Sequence, residues 1–204
     1  MKTTISRIIV PIFLILMSGV WCSGSLAYKA SKTENGELIK WGTNTVAYYV
    51  NTSGGPAGCL AAIQAAMKTW TDVPSSSFRF MYGGHATSTA YNINDGVNII
   101  CFRKMGNKAN VARNFIHHDA SGKICDSDIV FNTDHKFSAT DACPKNCYDI
   151  QNVLTHELGH SLSLNELKKR IYADKTMYWK EMKGETKKRS LDMDDIEGIA
   201  FLYP

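Results

Sequence analysis

"HELGHSLSLNE", residues 156–166, decides how the rest of this chain is read. A helix turns about 100° per residue, so positions four apart project from nearly the same side. His156 and His160 can therefore share one ion. Ile150, Leu154, Leu158 and Leu162 make an adjoining apolar stripe that seats the helix on a core. Glu157 stands one step round from His156, where it can touch a water on the ion without being a ligand. Two neutral imidazoles suit Zn²⁺, and an open position keeps a water. The ion lowers that water's pKa, and the glutamate takes its proton as general base. This is the mechanics of H-E-x-x-H. The motif alone is a moderate signal, because such letters also occur by chance in helices with two polar histidines on an exposed flank.

At 204 residues the chain has room for one domain with a substantial core, and its 44% hydrophobic and 21% charged residues are ordinary for a globular protein. Its N-terminus reads as an export signal. Lys2 and Arg7 precede the apolar run "IIVPIFLILMSGVW" (8–21), and "SLA" (25–27) supplies small residues before a cut after Ala27. Residues 1–27 are thus expected to be a signal peptide, and the product secreted, extracellular or periplasmic. The run is broken by Pro11 and short for a membrane span, so no membrane attachment is expected after cleavage. The formal net charge of +4 falls to about +2 without Lys2 and Arg7, too little to argue for nucleic acid. Lys187-Lys188-Arg189 reads as a solvated loop. A monomer is expected.

Export permits disulfides. Cys59, Cys101, Cys125, Cys143 and Cys147 follow the cut, and five cysteines cannot all pair within one chain. "CPKNC" (143–147) could close a small loop ahead of the motif helix, and at least one bridge is expected.

Residues 28–37 form a short polar lead-in, with the domain proper over 38–204. "TVAYYV" (45–50) predicts a strand, and Leu60, Ile63, Met67 and Trp70 lie at helical spacing over 59–70. "SFRFMY" (77–82) and "GVNIICF" (96–102) predict strands, as do 109–118 and 123–132 around the turn "DASG". A long loop leads to the motif helix near Tyr148. A last helix starts near Asp192, with Asp192 and Asp195 at capping-box spacing. This order predicts one α+β domain with a mixed sheet.

"DIQNVLTHELGHSL" (149–162), "DKTMYW" (174–179) and "LDMDDIEGIAFLYP" (191–204) together resemble the metzincin metalloproteases, particularly small bacterial proteins of the matrixin type. "ELIKWGTNTVAYYVN", "AIQAAMKTW" and "GKICDSDIVFN" are similar to that family's opening strand, first helix and edge strand. The resemblance implies a secreted zinc endopeptidase with one catalytic Zn²⁺, protein or peptide substrates and Glu157 as the base. It implies that Asp128, Ile129, Val130, Phe131 and Asn132 form the edge strand that pairs with extended substrate. It makes Met177 the methionine of the turn beneath the zinc, and has Asp194 and Asp195 buttress the site helix, where capping is their alternative role. A catalytically weak relative that binds peptides is the alternative function.

The family motif is H-E-x-x-H-x-x-G-x-x-H. Here Ser163 stands in place of the glycine and Glu166 in place of the third histidine. In an unbroken helix Glu166 would point about 240° away from His160. The chain must turn after Leu162; Ser163 can adopt positive φ only at a cost of about 1–2 kcal/mol, and Asn165 tolerates that conformation better, so the turn can shift to it. A glutamate is a competent zinc ligand, so His156, His160 and Glu166 are the expected set. Asp174, Glu181 or an incomplete two-histidine site are the alternatives. The pocket stretch "YWKEM" (178–182) lacks the proline and tyrosine that matrixins usually carry there. His85, His117, His118 and His135 match no metal spacing. Asp119, Asp126 and Asp128 could help hold calcium, but no EF-hand-like loop accompanies them.

Overall fold

The computed structural model describes residues 28–204, so the leader expected over 1–27 lies outside the described residues. Strands β1 (Lys40–Trp41), β2 (Thr45–Val50), β3 (Arg79–His85), β4 (Ile99–Arg103), β5 (Ala112–His118) and β6 (Lys123–Asn132) form one twisted sheet. Across it the order is β5, β6, β4, β2, β3, and β1 extends the β4 side of β6. Every pairing is parallel except the β5–β6 hairpin. Strands β7 (Phe137–Ser138) and β8 (Tyr148–Asp149) make a small second sheet. Helices α1 (Cys59–Thr71), α2 (Ile150–Ser161) and α3 (Met193–Leu202) complete the α+β domain.

The core lies between the sheet and the helices. Val46, Tyr48 and Val50 of β2 alternate inward, as period-2 patterning requires, with Phe80, Ile100, Ile129 and Phe131 beside them. Ile63, Met67 and Trp70 of α1 face Val153, Leu154 and Leu158 of α2. Trp70 Nε1 also donates to Thr155 O at 2.8 Å, so the largest core side chain satisfies its polar atom on the motif helix. α3 seals the bottom with Ile199 and Leu202, and its capping box joins Asp192 and Asp195 as their spacing predicts.

The β5–β6 hairpin turns through Asp119–Gly122. Asp119 Oδ1 accepts the N–H groups of Ser121 at 2.9 Å and Lys123 at 3.1 Å. Gly122 has φ +85°, and a Cβ there would strike the Leu38 carbonyl. The same hairpin corrects one expectation. Asp128–Asn132 are not an edge. They lie in β6, which pairs with β4 on one side and β5 on the other, and all five are buried. A strand bonded on both sides has no backbone groups left for a peptide. The unpaired edge belongs to β5.

One further expectation changes. Among the described residues all five cysteines are free thiols, and the 143–147 loop is closed by Cys147 N–H donating to Pro144 O at 2.9 Å. The lead-in is pinned to the domain: Ala30 bridges Leu164, and Asn165 N–H donates to Lys29 O at 2.7 Å. Among the described residues no helix is long and apolar enough to cross a membrane.

Candidate metal centre and cleft

The motif helix begins with an Asp149 cap, whose Oδ1 accepts Asn152 N–H at 2.8 Å. It ends as the sequence demands. Ser163 takes φ +67°, its N–H donates to His160 O at 2.7 Å, and Leu164 N–H donates to Gly159 O at 2.9 Å. These two bonds make a Schellman stop with a serine where glycine is usual. The Ser163 hydroxyl is buried without a partner. Beyond it the chain doubles back and is pinned by Ser31, whose N–H donates to Ser163 O at 2.8 Å and whose hydroxyl donates to Asn165 Oδ1 at 2.9 Å.

The turn brings Glu166 back to the histidines. One ligand atom from each of His156, His160 and Glu166 lies within 4.8 Å of the others. Atoms bound to one tetrahedral zinc at about 2.0–2.1 Å stand about 3.3–3.4 Å apart, so modest side-chain adjustment closes the triad. His156 Nδ1 donates to Thr176 O at 2.7 Å and His160 Nδ1 to Leu164 O at 2.8 Å. Each bond fixes the ring and its tautomer and leaves Nε2 with its lone pair. Burial, then the charge of Lys188, holds His156 well below the usual histidine range; burial lowers His160 as well. Neutral imidazoles with free Nε2 atoms and one carboxylate fit a zinc ion. The other two carboxylates are engaged elsewhere. Asp174 is exposed against Lys187, and both Glu181 oxygens are engaged, by Lys188 Nζ at 2.6 Å and Asn152 Nδ2 at 3.0 Å.

Met177 packs against the helix at Gly159. It is buried, and a Cβ on Gly159 would fall on its sulfur, so the glycine between the two histidines is what lets this turn approach. The hydroxyl of Thr176, whose carbonyl orients His156, donates to Ser190 O at 3.2 Å. Burial pushes the Asp195 carboxyl up to about 6, although it accepts the Asp192 N–H at 3.0 Å. Asp195 thus caps α3, whereas Asp194 turns out to Lys175 at 2.7 Å.

Sequence reasoning missed the 187–189 run. It is not solvated as a unit: Lys188 is fully buried, and its Nζ donates to Glu181 at 2.6 Å and to Tyr178 O at 2.7 Å. Arg189 reaches the α2 cap, donating to Asp149 Oδ1 at 2.8 Å, and also holds Thr140 O at 2.8 Å. A lysine among basic neighbours gives no local sign of burial. Its partner Glu181 seven residues earlier was the one clue.

A cleft of about 590 Å³ joins these parts. One wall is the free strand β5, from Ala112 to Ile116. His156, Glu157, His160 and Glu166 form the floor, and Tyr148, Trp179 and Glu181 close one end. Glu157 faces the cleft from a nearly dry position. Burial, then the nearby Glu181 charge, pushes its carboxyl up to about 8. Of the other histidines, His117 and His118 lie on β5 and His85 ends β3; among the described residues the one metal-competent group is the triad. Asp126 and Asp128 accept loop N–H groups from Gly96 at 2.9 Å and Ile99 at 3.0 Å.

Comparison with protein families matches residues 40–204 to the peptidase family described as Matrixin. The chain belongs to the matrixin family. Among solved structures it is similar to metalloproteinase-II from Bacteroides fragilis, at 11% identity and a TM-score of 0.42, covering 89% of this chain and 59% of that one. This matrixin thus spans less than two thirds of that protein. No curated protein matches it in sequence. Matrixins are zinc-dependent metallopeptidases, and in this one His156, His160 and Glu166 form a group that could hold a metal ion.

Proposed function

We propose that this matrixin is a secreted zinc endopeptidase whose ion is held by His156, His160 and Glu166. The observation that carries the reading is the convergence of those three side chains beside Glu157, on the floor of a cleft walled by a strand paired on one side only. When bound, zinc supplies a Lewis acid for the scissile carbonyl and lowers the pKa of water at the site. The chain does the rest. Free N–H and C=O groups of β5 pair with an extended peptide and fix its register. A Glu157 carboxylate oxygen takes a proton from the attacking water and returns it to the leaving amine nitrogen, and its buried position keeps that proton from bulk solvent. The Thr176 and Leu164 carbonyls hold the two rings in place.

The test is cleavage of an unstructured protein such as casein by the metal-loaded chain, with and without a chelator. Cleavage that stops on chelation and returns with zinc supports the reading, and a zinc-loaded protein that cuts nothing ends it. Export is checked by N-terminal sequencing of the released protein, which should begin at Tyr28.

A further inference from the structure

Behind the catalytic helix lies a closed ring of hydrogen bonds that the reaction as described does not use. Tyr48 of β2, Ser127 of β6, Asn114 of β5 and Ser161 of α2 meet there; Tyr48, Ser127 and Ser161 are fully buried. Tyr48 Oη donates to Ser127 Oγ at 2.7 Å, and Ser127 Oγ donates to Asn114 Oδ1 at 2.8 Å. Asn114 Nδ2 donates to Ser161 Oγ at 2.6 Å, and Ser161 Oγ lies 2.7 Å from Tyr48 Oη.

Counting protons fixes the direction. Each hydroxyl has one proton to give. Tyr48 and Ser127 have spent theirs, so Ser161 donates to Tyr48 at 2.7 Å in preference to Ser127 Oγ, 3.2 Å away, and the ring closes with every member giving and accepting once. The approach of Ser161 Oγ to Glu157 O, at 3.5 Å, is too long to compete. The second amide proton of Asn114 lies outside the ring, and it donates to the carbonyl oxygen of Glu157 at 3.0 Å. The amide cannot flip, because its oxygen would then face that carbonyl.

We infer that Asn114 is a positioning residue for the reaction: through this ring it locks the edge strand that pairs with substrate to the backbone of the general base. The inference rests on the peptidase reading. Its physical content is that the backbone of β5 pairs only with β6, and an edge strand bonded on one side can slide or lift. Asn114 sits mid-strand, opposite Ile129, and ties that strand directly to Glu157. A displaced strand would still bind peptide but would present the scissile bond off line from the carboxylate. A misplacement of about 1 Å can cost on the order of 10²-fold in rate.

The experiment uses the zinc-loaded full chain and two variants. Asn114→Asp keeps size but removes both donors and sets a carboxylate against the Glu157 carbonyl. Tyr48→Phe removes one ring member and leaves the Asn114 bond to Glu157. For Asn114→Asp the expected result is unchanged zinc stoichiometry, KM within about threefold, and kcat lower by about 10–100-fold. Tyr48→Phe should show the same split with a smaller fall. Amide exchange across β5 should quicken in both. A kcat within twofold of wild type in Asn114→Asp, with only a lower thermal midpoint, would reduce the ring to packing and overturn the inference. So would loss of zinc, or a change confined to KM. If the wild-type protein cuts no peptide, the peptidase reading fails; the lock is then judged by β5 exchange alone, and unchanged exchange in both variants overturns it.

Discussion

The motif segment from Asp149 to Glu166 and the returning segment from Thr176 to Arg189 build opposite sides of one metal centre, yet they follow different rules. The first is local. A capping aspartate, an apolar stripe, two histidines one turn apart and a Schellman stop are each set by neighbours within six residues. The second has little regular structure and is held by distant partners: Met177 by Gly159, Lys188 by Glu181 and Asn152, Arg189 by Asp149. The ligands sit on the part that local rules specify. The part that shapes the cleft depends on buried charges.

The largest effect tests the first segment. Glu157→Gln should keep near-stoichiometric zinc and lose about 10²–10⁴-fold in turnover, because it removes the base and no ligand. Metal analysis beside steady-state peptide cleavage reads both. A variant that cleaves at the wild-type rate would mean that the proton leaves by another group.

The second segment is tested at Lys188. If buried charge organises it, Lys188→Ala strands Glu181 without its cation and should cost about 3–5 kcal/mol in denaturant unfolding. Lys188→Met combined with Glu181→Leu removes both charges and should recover most of that loss. A cost below about 1 kcal/mol for Lys188→Ala would place the lysine in solvent after all and dissolve the contrast.

These two segments also explain what could be read in advance. The fold class, the motif helix, the α3 capping box and the need for a turn after Leu162 were legible because each depends on residues close in sequence. Glu166 was legible for the same reason: once the helix had to stop, six residues sufficed to bring the carboxylate back. The edge strand was misplaced by one element, although a signal existed. "IVF" (129–131) is a continuous apolar run, as befits a strand buried on both faces, whereas "ARNFIHH" mixes polar residues as an edge strand does. The family resemblance pointed to the hairpin and not to its outer arm. The free cysteines and the burial of Lys188 were illegible, because pairing and burial are decided by which distant surfaces meet.

A smaller effect, on pH dependence, lies just past the returning segment. Asp195, in the capping box of α3, has a carboxyl raised to about 6 by burial in the folded chain, above the unfolded value of about 3.9. The native state therefore holds this proton longer than the unfolded state does. Its contribution favours folding at low pH and is lost as pH rises from about 4 to 6, then levels off. Asp195→Asn cannot ionise and still accepts from the Asp192 N–H. Its midpoint should gain on wild type across that window, with on the order of 2 kcal/mol as the ceiling. A difference that stays flat from pH 4 to 7 would mean that solvent reaches the carboxyl.

The smallest effect falls where the local segment breaks its own rule. Ser163 holds φ +67°, a conformation that costs a residue with a Cβ about 1–2 kcal/mol. Its hydroxyl is buried without a partner, which adds a desolvation cost of about 1 kcal/mol or more. Ser163→Gly removes both and gives back about 0.5–1 kcal/mol through the freer unfolded chain. The sum predicts a gain of about 1–2 kcal/mol, read as a higher denaturant midpoint at unchanged slope. Zinc stoichiometry should hold, since the two turn bonds are made by backbone atoms that the substitution keeps. If the variant is instead less stable, the serine hydroxyl has a partner, such as a water between Ser163 and the lead-in strand. The turn that presents Glu166 would then depend on residues 29–31 as the returning segment depends on its distant partners, and the two halves of the site would differ in degree only.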